Sequence, residues 1–434
     1  MRTKNMHVKD NQLYMGKFSL EELAKKYKTP LYVYDEVGLR EKMDIFKNYF
    51  KSDNFECYVV YATKAFLAPR LCKMLNEYGF YADGVSSGDM YLMEKSGFPM
   101  EHIVLHGNNK SLEELETAVD KNVGYIVIDN YTELKKLDKL ASSKKKHVKT
   151  LIRINPGIEA HTHAYIETSL LDSKFGESIY DIELLEKMFD VYKNSEYVTL
   201  EGFHAHIGSQ INSADSFKQE AIKMAEFTKE INHKYGFNLE TLDLGGGFGI
   251  KYLDDDKEIN LKEMLQTIIN TVTEAFKDED VKIKTLMIEP GRSLVGDNGV
   301  TLYTVGGKKK TYAGVEYAFV DGGMADNIRP ALYQALYSLD VANNVESNEK
   351  KTINVVGKCC ESGDIVRKGI ELPVVNVGDT LVVYSTGAYC YSMSMNYNGL
   401  TRGGVIFVDN EKVYEVIKRQ SLENLVSTCV FEEE

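Results

Sequence analysis

Apolar residues recur at helical spacing near residues 37–50, 66–78, 87–97, 111–121, 131–141, 180–193, 213–234 and 261–278. Each stretch is followed by a short run rich in Val, Ile, Leu and Tyr: Tyr58–Lys64, Tyr81–Val85, His102–Gly107, Tyr125–Asn130, Thr150–Asn155, Leu200–Ile207, Thr241–Gly245 and Thr285–Glu289. Strands so uniformly apolar are buried on both faces, as parallel strands covered by helical crossovers are. The alternation therefore predicts an α/β fold with a closed (β/α)8 TIM barrel over residues 36–290. After Arg292 the helical spacing stops. β-branched segments near 300–305, 314–320, 352–357, 379–384, 404–408 and 413–418, separated by Gly, Asn and Asp turns, predict a mostly β C-terminal domain, a β-sandwich or barrel over 291–434. Residues 1–35 fit neither pattern and are expected to add a strand to it.

The polar residues that interrupt the apolar runs stand at their carboxyl ends, where barrels of this kind carry their chemistry. They are Lys64, Asp83, His106, Asn155, His206, Gly245 to Gly247 and Glu289. A lysine ending an apolar strand is suited to Schiff-base formation if its ammonium is desolvated, although a lysine snorkelling out at a strand end is the ordinary alternative. The run Asp243-Leu-Gly-Gly-Gly-Phe-Gly249 offers bare backbone N–H groups to a phosphate, or is simply a tight turn. Beside it, Glu289-Pro290-Gly291-Arg292 sets a carboxylate and a guanidinium three residues apart, able to hold opposite ends of one cofactor or to flank a surface turn. His204 and His206, two apart on one strand face, read as a ring-stacking histidine followed by a phosphate-binding Ser209, or as satisfied core histidines. No third ligand with zinc spacing stands near them, and no metal is expected.

Composition narrows the class. The 434 residues carry a net charge of −13, which argues against nucleic-acid and anionic-membrane partners, because phosphate binding needs a positive field. No apolar run approaches a membrane span and Met1 to Ser19 lacks an apolar signal core, so a cytoplasmic location is expected. The six cysteines form no CxxC pair and suit a reducing compartment.

Taken in order, Tyr61-Ala-Thr-Lys-Ala65, His206-Ile-Gly-Ser-Gln210, Gly245-Gly-Gly-Phe-Gly249 and Glu289-Pro-Gly-Arg292 resemble the motif set of the alanine-racemase-like, ornithine/diaminopimelate-decarboxylase superfamily of pyridoxal-phosphate enzymes. The resemblance runs from Thr29-Pro-Leu-Tyr-Val-Tyr-Asp35 almost to the C-terminus. It implies that Lys64 carries pyridoxal 5'-phosphate as a Schiff base, that His206 stacks on the ring and that Glu289 pairs with the pyridine nitrogen. It further implies that Ser209, Gly245, Gly246, Gly247, Pro290, Gly291 and Arg292 surround the cofactor, with Asp83 near the lysine and Tyr389 also at the cofactor. Arg153-Ile-Asn-Pro-Gly157 with His161-Thr-His163, Lys174-Phe-Gly176, Asp321-Gly-Gly-Met324, Ile328-Arg-Pro-Ala-Leu-Tyr333, Cys360-Glu-Ser-Gly-Asp364 and Gly387-Ala-Tyr389 resemble the diaminopimelate branch. For that branch the expected reaction is decarboxylation of meso-2,6-diaminopimelate to L-lysine. Arg292, Arg329, Tyr333, Glu361 and Tyr389 would bind substrate, Cys360 would donate the proton, and a homodimer would share its active sites. A sibling enzyme acting on ornithine, arginine or a D-amino acid is the alternative.

Overall fold

The computed structural model describes residues 2–158, 173–277 and 279–432, which divide into two compact units. The first comprises Lys42–Ile250 and Ile259–Ser293, and the second Met1–Glu41, Lys251–Glu258 and Leu294–Glu434. His161-Thr-His163 lies outside the described residues.

In the first unit eight parallel strands close on themselves: β1 (Glu56–Tyr61), β2 (Tyr81–Gly84), β3 (Ile103–Leu105), β4 (Tyr125–Ile128), β5 (Val148–Asn155), β6 (Val198–His204), β7 (Thr241–Asp243) and β8 (Thr285–Ile288). Closure is made where β8 pairs with β1, Leu286 opposite Cys57, and where β4 pairs with β5, Val127 opposite Leu151. Val60, Val104, Val127, Leu151 and Met287, from five different strands, form one buried apolar cluster. Helices cover the outside because their ends are written into the sequence. Ser111 and Glu114 form a reciprocal capping box on Leu112–Asp120, Asn130 and Asn260 each accept a hydrogen bond from the backbone N–H of the third residue of their helices, and Pro69 opens Pro69–Tyr78. Gly79 and Gly236 end their helices in the left-handed conformation that glycine tolerates.

Most strands are shorter at their carboxyl ends than the apolar runs predict. β1 stops at Tyr61, β3 at Leu105, β6 at His204 and β7 at Asp243, so Lys64, His106, His206 and the glycines stand on turns beyond the strands. Backbone pairing nevertheless continues into these turns: Ala205 N–H donates to Asp243 O (2.9 Å), Leu244 N–H to Met287 O (3.0 Å), Glu289 N–H to Gly245 O (2.6 Å) and Ala62 N–H to Pro290 O (3.0 Å).

The second unit is mostly sheet. Strand Leu31–Asp35 lies between Gly299–Lys310, antiparallel, and Gly404–Val408, parallel, so the N-terminal segment does add its strand to the C-terminal domain. Leu31, Val33, Val300, Leu302, Val382 and Ile406 make its core. Besides a small N-terminal sheet of Met6–Lys9, Gln12–Met15 and Phe18–Ser19, which the sequence pattern did not show, two strands of the C-terminal part have no counterpart in that pattern. Ile365–Pro373 carries Arg367, Lys368 and Gly369 in its middle and alternates poorly, and Leu339–Val341 is only three residues long. No helix of the described residues is long and apolar enough to cross a membrane.

Candidate active site

Beyond β1 the chain tightens into a single 3-10 turn, Thr63–Ala65, that presents Lys64. The turn is braced from two sides. Asp83, on β2, accepts hydrogen bonds from Thr63 N–H (2.7 Å) and Thr63 Oγ1 (3.1 Å), and Tyr61 Oη donates to Phe66 O (2.7 Å). Lys64 itself is exposed, not the buried strand-end lysine of the sequence reading, because its turn lifts it clear of the apolar strand. Burial raises the Asp83 carboxyl to about 6; the charges of His106 and Lys64 oppose the shift and that of Glu289 adds to it.

The two histidines of His204-Ala-His206 do not share a strand face as the spacing suggested. His204 is the last residue of β6 and turns to Glu289, whereas His206 lies past the strand and its Nδ1 accepts from Gly246 N–H at 3.2 Å. That bond leaves the imidazole proton of neutral His206 on Nε2. Burial, then the nearby charges of Lys64 and Arg153, hold His206 well below the usual imidazole range, so at neutral pH the ring is uncharged.

The glycine run is shaped by contact with main chain. Gly247 has φ +104°, and an added Cβ would strike the Gly208 carbonyl; at Gly246 it would strike the carbonyl of Glu289. Among the described residues, nothing accepts the Gly247 N–H. Arg292, buried at the end of the Glu289-Pro-Gly-Arg292 turn, donates from Nη2 to Ser209 Oγ at 2.9 Å. A guanidinium, a hydroxyl and an open backbone N–H together make an anion-binding set.

Glu289 is the opposite pole. It is 7% exposed, with Oε2 3.2 Å from His204 Nε2 and Oε1 2.6 Å from His106 Nε2. The second approach is an ion-pair distance without hydrogen-bond alignment, so Oε1 keeps acceptor capacity unused. Burial pushes the Glu289 carboxyl up, but the two imidazoles outweigh it and hold it well below the usual range. Burial likewise lowers His204 to about 4, so His204 meets the carboxylate as a neutral N–H donor. His106, His204, Asp243 and Glu289 each offer one ligand atom, all within 4.8 Å of one another, a grouping of metal-binding type that the sequence reading did not find.

Comparison with known proteins decides which group this pocket takes. The family model for the pyridoxal-dependent decarboxylase pyridoxal-binding domain matches residues 37–296. The chain belongs to the pyridoxal-dependent decarboxylases. It is 44% identical over 423 residues to the diaminopimelate decarboxylase of Bacillus subtilis, covering 98% of this chain and 95% of that protein. The diaminopimelate decarboxylase of Staphylococcus aureus is 41% identical over 426 residues, covering 97% of this chain and 99% of that protein. The crystal structure of the M. jannaschii diaminopimelate decarboxylase with L-lysine superposes with a TM-score of 0.93 at 32% identity, covering 100% of this chain and 99% of that one.

The pocket fits pyridoxal phosphate. Oε1 of Glu289 is a buried carboxylate oxygen with no hydrogen bond of its own, chemically suited to a protonated ring nitrogen, and the Ser209–Arg292–Gly247 set suits a phosphate. Lys64, exposed on its braced turn, presents a primary amine of the kind that condenses with an aldehyde.

In the second unit, Arg329 is 9% exposed and its Nε donates to Tyr337 Oη at 2.8 Å. Its guanidinium lies 5.4–5.9 Å from the ring centres of Tyr333, Tyr389 and Tyr252. Burial works against that charge, but the surrounding phenol groups outweigh it and the arginine stays protonated. No described residue accepts a hydrogen bond from its terminal nitrogens. Cys360 and Glu361 are exposed, and Cys360 N–H donates to Asn398 Oδ1 at 2.7 Å. Neighbouring Cys359 is buried, with its thiol pushed up to about 11 by burial and by Asp364.

Sequence reasoning missed Tyr337 and Tyr252 around Arg329, and Asp243 and Glu220 behind Glu289. Glu220 left a signal. It falls between Phe217, Ala221 and Met224 on the buried face of helix Ala214–Tyr235, where a carboxylate breaks an apolar stripe.

Proposed function

We propose that this chain decarboxylates meso-2,6-diaminopimelate to L-lysine and carbon dioxide, with pyridoxal 5'-phosphate as cofactor. The observation that carries the reading is the polarised pocket at the carboxyl ends of the barrel strands, a buried ionised carboxylate at Glu289 and an anion set at Ser209, Gly247 and Arg292, with Lys64 on a braced turn. The bound cofactor supplies a protonated, electron-withdrawing ring that accepts the electron pair left by a departing carboxylate. Glu289 keeps a negative charge at the ring nitrogen. Lys64 holds the aldehyde carbon, and Asp83 fixes the turn from which it does so. His206, locked by Gly246, offers a neutral flat ring for stacking, while Gly245, Gly246, Pro290 and Gly291 complete the walls.

Arg329 supports the choice of substrate. Diaminopimelate has a distal carboxylate and ammonium, and a caged guanidinium with unused terminal donors suits that carboxylate, as Glu361 suits the ammonium. Ornithine would leave the terminal nitrogens of that arginine without a carboxylate to engage, which disfavours it. Tyr333 and Tyr389, whose rings flank Arg329, are assigned to substrate as well, and Arg292 to both phosphate and substrate. Cys360 is assigned as proton donor, since its exposed thiol is accessible where that of Cys359 is buried and weakly acidic. The protein is assigned to the cytoplasm and to a homodimer with shared sites.

The test is incubation of the purified protein with pyridoxal phosphate and meso-diaminopimelate. Lysine and carbon dioxide are expected, with Lys64→Ala inactive. Release of carbon dioxide from ornithine or arginine while meso-diaminopimelate stays untouched would overturn the substrate assignment.

A further inference from the structure

Asp83, Glu220, Asp243 and Glu289 are 3%, 0%, 0% and 7% exposed, and each feels the charge of Glu289 or carries it. Four carboxyls in one apolar interior cannot all ionise. Burial and mutual repulsion hold Asp243 and Glu220 well above the usual carboxylate range. Their geometry agrees, since both oxygens of Glu220 and Oδ2 of Asp243 lack any hydrogen-bond partner, which suits neutral acids and not anions. Glu289 differs in one respect. Each of its oxygens meets an imidazole, His106 at 2.6 Å and His204 at 3.2 Å, and the two rings brace each other edge to face with centroids 4.8 Å apart. Arg153 and His206 also act on Glu289 electrostatically.

We propose that His106 and His204 are positioning residues: His204, by a hydrogen bond to Oε2, and His106, by close contact with Oε1, fix the Glu289 carboxylate that is reserved for the cofactor's ring nitrogen. This rests on the pyridoxal reading. Without the pair, Glu289 becomes one more buried acid among protonated neighbours, and the ring nitrogen loses its anionic partner.

The experiment compares His204→Leu with His204→Gln, whose amide nitrogen reaches the place of Nε2, and His106→Leu with His106→Gln. Pyridoxal-phosphate affinity is measured by equilibrium dialysis across pH 6–9, alongside kcat, KM and near-ultraviolet circular dichroism. The leucine variants should lose about tenfold in cofactor affinity at neutral pH, equivalent to one pKa unit of lost charge stabilisation. They should recover affinity as rising pH ionises Glu289, and lower kcat far more than they change KM; glutamine should restore most of both. Glutamine no better than leucine in well-folded variants, or a leucine profile identical to the unaltered protein's, would overturn the proposal. Stoichiometric zinc in the isolated protein, lost in His204→Leu, would do the same by making the cluster a metal site. If His204→Leu does not fold, the His106 pair decides alone. Failure of the unaltered protein to bind pyridoxal phosphate is a separate result: it refutes the cofactor reading, and this inference falls with it.

Discussion

Asp83 answers two opposed demands. As an acceptor for Thr63 N–H it should be ionised, yet burial raises its carboxyl to about 6. Near pH 3 and below, the group is neutral whether the chain is folded or not. Between about 3.9 and 6 the folded protein keeps a proton that the unfolded chain releases, so stability falls as pH rises through that window and stays reduced above it. Two pKa units correspond to at most about 3 kcal/mol. Asp83→Asn keeps an acceptor for Thr63 but removes the charge. The cofactor-free variant should be more stable than its parent at pH 8, by about 1–3 kcal/mol, and little changed at pH 4.5, as followed by urea unfolding. Equal loss of stability at both values would show the carboxylate's hydrogen bonds to outweigh its desolvation. At Arg329 the expectation is loss: Arg329→Lys removes the planar group that lies among three tyrosine rings, and KM for diaminopimelate should rise by about tenfold or more while ornithine binding is little affected. Polar residues that end apolar runs are visible in sequence, which is why Lys64, Asp83 and Glu289 stood out. Which neighbour each one meets is not visible, because that depends on strand order across the barrel. His204 therefore read only as a neighbour of His206 on one strand face, or as a satisfied core histidine, and its partner Glu289 was not visible.

At the scale of elements, the helices of the barrel were legible almost end to end, since Ser111, Asn130, Pro69 and Gly236 mark their limits chemically. Strand ends were less so. An apolar run continues into Tyr61-Ala-Thr and Leu244-Gly although regular pairing has ceased, and hydrophobicity alone does not register the change. The turn after β7 gives a direct test. Gly247→Ala must place a Cβ against the Gly208 carbonyl at φ +104°, so the turn shifts and its N–H moves. Weaker cofactor retention is expected together with about 1–3 kcal/mol of lost stability. Gly79→Ala, at φ +71° with nothing within 4 Å, is the control: it should cost about 1 kcal/mol and leave cofactor retention intact. The strand Ile365–Pro373 escaped notice because charged residues and Gly369 occupy its centre, so its apolar content falls below that of its neighbours.

For the molecule as a whole, the division into a barrel and a mainly β unit followed from one change in periodicity near Arg292. Assembly has no such signature in a single sequence. If the active sites are shared between two copies, mixing the inactive Lys64→Ala and Cys360→Ala proteins should restore activity, up to about a quarter of the parental level after random exchange of subunits. No recovery after exchange verified by sedimentation would argue for sites complete within one chain. A last consequence concerns the backbone pairing that continues past the strand ends. Because Glu289 N–H is tied to Gly245 O, the main chain that bears the proposed ring-nitrogen carboxylate and the chain of the proposed phosphate turn are held at one spacing. Substitutions at Ser209 or Arg292 can therefore alter how firmly a coenzyme is held, but not its permitted length. A vitamin B6 analogue lengthened by one methylene on its phosphate arm should be refused by the parent and by those variants alike.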